Sequence, residues 1–197
     1  MGPRVRGPAA AVAAAALLLG VLAVAGCSSA AGAPTKASAS AAAGSAVHLT
    51  AYSDNDGPTE AVVLTGAIGD YGQAVSVHPD GSVDPDHSGQ LSLRLGHGAF
   101  RLDIAAMDRA FVAAMAERFP TNRTTCSGSV AVTERVPVVS GSGTGAYRNV
   151  SGSFTLTLTL DEVDRAGAGR PCDGSSAFLG QAIVITGPGS VTFPPRA

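Results

Sequence analysis

Tryptophan is absent from this 197-residue chain, and all aromatic residues together make up only 5% of it. A core with so few large rings has to be filled mainly by Val, Leu and Ile. Charge is sparse as well, at 14%, and neither sign dominates: 13 Lys and Arg stand against 15 Asp and Glu. With no basic stripe to displace counterions from phosphates, nucleic acid is excluded as a partner. Adhesion to anionic headgroups through charge alone is disfavoured for the same reason. There are three cysteines, no CxxC spacing, and no histidine close in sequence to Cys126 or Cys172. A resident metal is therefore not expected. GxSxG, Walker and dinucleotide-binding glycine patterns are missing too, so no cofactor is expected.

What is present begins at the N-terminus. Arg4 and Arg6 precede an apolar run from Ala9 to Ala25, which leads into Val24-Ala25-Gly26-Cys27. Charged, apolar and small residues in that order are the pattern of a secretory signal peptide. At about seventeen residues the run only touches the lower limit for spanning a bilayer. No stop-transfer charges follow it. Val-Ala-Gly-Cys resembles the lipobox of bacterial lipoproteins, which implies acylation of Cys27 and cleavage in front of it. Residues 1–26 then form the lipoprotein signal peptide and 27–45 the lipidated cysteine with its tether. Residues 46–197 form a β-barrel domain held at the extracytoplasmic face of the cell membrane. The tether is mostly Ala, Ser and Gly, too poor in apolar bulk to offset the entropy of ordering. Loss of Arg4 and Arg6 leaves 11 basic and 15 acidic side chains, a mature charge of −4.

Beyond residue 46 the pattern is one of short strands. Val47 to Tyr52, Glu60 to Ile68, Tyr71 to Val77, Leu91 to Leu95 and Ala99 to Asp103 read as strands, with turn clusters between them. Asp54-Asn55-Asp56-Gly57 is one such turn, lacking the alternating oxygens of a calcium loop. Ile104, Met107, Phe111 and Met115 then recur at helical spacing, with Asp103 as N-cap and Pro120 as stop. Strands resume over Gly128 to Val139, Phe154 to Leu160, Gln181 to Thr186 and Ser190 to Phe193. Pro137 assigns its strand to a sheet edge or a bulge. The expected fold is mainly β: an antiparallel β-barrel of seven or eight strands with one inserted helix. In an oxidising compartment Cys126 and Cys172 are expected to form a disulfide. Chain entropy values its closed loop of about 47 residues at about 4 kcal/mol.

The segment Gly143-Thr144-Gly145-Ala146-Tyr147, continued by Arg148 to Gly152 and the strand Phe154 to Leu160, resembles the glycine-rich hairpin of the allene oxide cyclase and dirigent β-barrel group. That resemblance implies an eight-stranded antiparallel barrel of calycin-like form, in which Tyr147 packs beside the strand that follows. It carries no catalytic residue onto this chain, and fold alone does not fix function.

Glu134 is the one charged residue sharing parity with Val130, Val132, Val136 and Val138. A regular strand aims it into the barrel, whereas a bulge near Pro137 shifts the phase and turns it out. Leu156 and Leu158 belong to the clearest inward-facing row. Glu134, Leu156 and Leu158 are thus the candidate ligand-binding residues. His78, His87 and His97 with Asp80, Asp84 and Asp86 have no compact ligand spacing and read as a solvated loop. The expected function is that of a membrane-tethered envelope lipoprotein. Its barrel binds a small apolar ligand or a protein partner without catalysis. The alternative is an isomerase or cyclase that uses Glu134 as acid or base in the lumen.

Overall fold

A computed structural model of the protein describes residues 44–54, 59–84, 88–165, 172 and 178–194. Cys27 and the tether before Gly44 lie outside the described residues, as do His87 and Asp86. The order is β1 (Ser45–Ser53), β2 (Thr59–Gly66), β3 (Asp70–Val77), β4 (Gln90–Leu95), β5 (Gly98–Asp103), α1 (Ala105–Arg118), β6 (Ser127–Pro137), β7 (Ser151–Asp164) and β8 (Phe178–Thr192). The eight strands form one antiparallel sheet in the order β5-β4-β3-β2-β1-β8-β7-β6. Strands adjacent in the chain are adjacent in the sheet, and β8 returns to pair with β1. Only the β5–β6 pair is missing from a closed eight-strand meander. The chain inserts α1 at that point, so the sheet curls into a half-barrel rather than closing.

Alternation drives the curl. In β7, Phe154, Leu156, Leu158 and Leu160 are buried between exposed or half-buried Thr155, Thr157 and Thr159. Each strand contributes such a row, and the rows meet in one contiguous core that includes Leu49, Leu64, Leu93, Phe100 and Leu156. The helix supplies Met107 and Ala114 to that core and packs against β6. Its N-cap position is Ile104, one residue later than expected. The Asp103 carboxylate still accepts the Ala105 N–H, at 3.2 Å.

An open sheet edge exposes a row of unpaired backbone groups. The residues after β6 cover that of β5. Leu102 forms a bridge with Val138, and Val139 N–H donates to the Arg101 carbonyl at 2.8 Å. Two β5 donors are taken by side chains instead: Arg101 N–H by Ser142 Oγ at 2.9 Å and Ala99 N–H by Thr144 Oγ1 at 3.0 Å. Pro137 sits in β6, an edge strand, where its missing N–H costs no ladder bond.

One expectation fails in an informative way. Gly187-Pro188-Gly189 reads as a break between two strands, yet β8 runs unbroken through it. Pro188 keeps its place opposite His48 of β1. On the β7 side the pairing stops at Phe154↔Gly189 and resumes at Thr157↔Thr186, so the proline falls where no ladder bond is asked of it.

Candidate functional site

Antiparallel order brings alternate turns to the same end of the half-barrel. The β2–β3 turn at Ala67 and Ile68, the β4–β5 turn at Gly96-His97 and the segment Gly143 to Asn149 meet there. Ala67 N–H donates to the Ala46 carbonyl, so this is also the end at which β1 begins. The glycine-rich segment docks on the β4–β5 hairpin: Thr144 N–H reaches the Ala99 carbonyl at 2.8 Å and Ala146 N–H the His97 carbonyl at 2.9 Å. Gly145 has φ +57°, and a Cβ there would strike the His97 carbonyl. The glycine is required by that close approach.

This docking aims Tyr147 inward. Its ring packs edge-on against Phe100 of β5, with centroids 5.4 Å apart, rather than beside β7 alone. Its hydroxyl donates to Asp70 Oδ2 at 2.5 Å. Asp70 begins β3, and its side chain is 2% exposed. It also accepts Tyr71 N–H at 2.8 Å, His97 N–H at 3.0 Å, and lies 3.0 Å from His97 Nδ1. Burial alone would raise the Asp70 carboxyl. The hydrogen bonds from Tyr147, from the two backbone amides and from the imidazole outweigh it and hold Asp70 well below the ordinary carboxylate range. Tyr147 moves the other way: burial, then the bond to Asp70 and its charge, push the phenol up.

An open cleft of about 980 Å³ lies over this clasp. Ile68 and Phe193 form apolar parts of its wall, while His97, Arg148 and Asn149 supply polar ones. The Arg148 backbone is fixed by a single 3-10 turn, Gly145–Tyr147, and by Asn149 at φ +60°. Among the described residues, the Arg148 side chain has no acidic partner.

The residues expected from sequence lie elsewhere. The β6–β7 pairing runs without a shift from Ser127↔Val163 to Pro137↔Ser153, so no bulge intervenes. Glu134 keeps the inward parity, opposite Leu156, and is half-buried. Leu156 and Leu158 are 0% and 8% exposed, within the core. None of the three lines the cleft. Cys126 and Cys172 are disulfide-bonded, with Cα atoms 5.4 Å apart. His78 Nε2 pairs with Asp84 at 2.9 Å, apart from His97. Among the described residues no group of three His, Cys, Asp or Glu is placed to hold a metal.

Glu60 has a role that sequence reading overlooked. It shares inward parity with Val62 and Leu64 of β2, and its Oε2 is buried with no hydrogen-bond partner among the described residues. Desolvation pushes its carboxyl up to about 7. Asp70 was equally hidden, because it follows a turn glycine and reads as punctuation, and His97 read only as part of a solvated loop. The available signal was topological: successive hairpins put every second turn at one end.

No protein-family model, no curated protein and no solved structure matches the chain.

Proposed function

We propose that the protein is a lipid-anchored envelope protein whose half-barrel binds a small ligand in the cleft over the Asp70–Tyr147 clasp. The cleft carries the reading. Its volume of about 980 Å³ is that of small-molecule sites, which are concave, largely pre-formed and set on rigid elements. Here the rigidity comes from a buried carboxylate with four hydrogen-bond donors and from hairpins locked to each other. The ligand belongs at this end and not in the lumen, because Leu156, Leu158 and their neighbours are engaged in one packed core. The signal-peptide pattern and Cys27 support export and acylation, and the glycine-rich hairpin supports kinship with the allene oxide cyclase and dirigent barrels.

Native mass spectrometry of the mature domain, purified from its own envelope, tests the reading. The wild type should carry a small-molecule adduct that Ala146→Trp, which fills the cleft from an exposed position, does not. A wild type without adduct, or an adduct retained by Ala146→Trp, would contradict it.

A further inference from the structure

We infer that His97 is the proton-accepting group of the cleft, and that its ligand carries a weakly acidic O–H or N–H which the site holds as the conjugate base. The inference rests on the cleft being a small-ligand site and adds the chemistry of what enters it.

The tautomer of His97 follows from its partner. Asp70 Oδ2 lies 3.0 Å from Nδ1 and is also the acceptor for Tyr147 and for His97 N–H. An ionised carboxylate can only accept, so Nδ1 must carry a hydrogen. In the neutral ring Nε2 is then left with its lone pair. The His97 side chain is 73% exposed and lines the cleft, whereas the carboxylate behind it is 2% exposed. The ring is thus a relay with a buried anionic end and an open basic end. Nothing among the described residues occupies Nε2.

Arg148, on the same wall, completes the chemistry. When an O–H of the ligand meets Nε2, the proton passes to nitrogen and the bonding pair stays on the ligand oxygen. The imidazolium is stabilised by Asp70, and the oxyanion by the Arg148 guanidinium. Charge is separated between two prepared partners, with no oxidant, reductant or metal required. Asp70 is the positioning residue here, since it acts through the ring and never touches the ligand.

The mature domain labelled with ¹⁵N allows two measurements. Long-range ¹H–¹⁵N correlation should show neutral His97 as the Nδ1–H tautomer. In Asp70→Asn the new amide can donate to Nδ1, so the tautomer should flip to Nε2–H; Tyr147→Phe, which leaves the Asp70–His97 bond in place, should not flip it. The Nε2–H form in the wild type would overturn the inference and leave the cleft reading untouched. For the ligand, 4-nitrophenol reports its own ionisation by colour, and 4-nitroanisole is its match without the acidic proton. Binding should lower the apparent pKa of bound 4-nitrophenol by about one unit, a tenfold shift, and both His97→Gln and Arg148→Gln should remove that shift. Equal binding of the two compounds at the cleft, with no colour change, would refute the proton-accepting role alone. Failure of both compounds to perturb the His97, Ala146 and Asn149 amides would refute both readings.

Discussion

The two ends of the half-barrel treat a buried carboxylate in opposite ways. At the cleft end Asp70 receives donors from a tyrosine, a histidine ring and two backbone amides, and remains ionised although almost no water reaches it. At the far end Glu60 projects inward near the start of β2, finds no partner for Oε2 among the described residues, and is pushed up to about 7 by desolvation. Depth of burial therefore does not decide the charge state in this fold. The supply of donors does. At the cleft end that supply comes from the docked hairpins, where the amides of Tyr71 and His97, the His97 ring and the Tyr147 hydroxyl converge on one carboxylate. The cleft end can hold a fixed negative charge behind an exposed histidine, whereas the far end favours neutrality.

The contrast breaks most forcefully at Asp70. Replacement by alanine leaves the Tyr147 hydroxyl and the amides of Tyr71 and His97 without their acceptor, and should cost about 3–5 kcal/mol in chemical denaturation at neutral pH. A loss below about 1 kcal/mol would mean that water replaces the carboxylate freely.

Glu60 should respond in the other direction, and with pH. Its folded-state pKa is raised from 4.5 to about 7, so its contribution to stability is full below the unfolded value and is lost as pH rises through about 7. Asp70 is lowered from 3.8, so its contribution is present above that value and is lost as pH falls further. The contributions of these two groups are together greatest at about pH 4–5. Glu60→Gln should stabilise the domain by on the order of 2 kcal/mol at pH 8 and by nothing measurable at pH 4. Identical thermal unfolding of variant and wild type at pH 8 would show that Glu60 is solvated.

Tyr147→Phe removes one of the four donors to Asp70. A loss of about 1–2 kcal/mol is expected, together with a rise in the Asp70 pKa toward the ordinary range. Cys27→Ser should move stability least, by under about 0.5 kcal/mol, since it lies outside the domain. It should nevertheless shift the protein from the membrane fraction to the soluble one. Unchanged fractionation would reject acylation as the anchor.

Much of the fold was legible because its cause is local. The alternation of Phe154, Leu156, Leu158 and Leu160 with threonines, and the helical spacing of Ile104, Met107 and Phe111, each identify an element without knowledge of its neighbours. Pro188 misled because its tolerance depends on a lapse in the β7 ladder, which is a property of the partner strand. The site was hidden for a related reason. Asp70, His97 and Tyr147 are separated by tens of residues and become one unit only when the turns are stacked at one end. Glu134 drew notice as the charged residue in a valine row. Glu60 stands in an equally inward row but is the first residue of its expected strand, where parity with Val62 and Leu64 draws no notice.

The most direct test of the contrast between the ends is a carboxyl ¹³C titration of the labelled mature domain, following Asp70 and Glu60 together. Glu60 should titrate with a midpoint near 7, while Asp70 should stay ionised throughout the range in which ordinary aspartates protonate. Midpoints for both near the usual carboxylate values would contradict the claim that donor supply, set by the stacking of turns, gives the two ends their different chemistry.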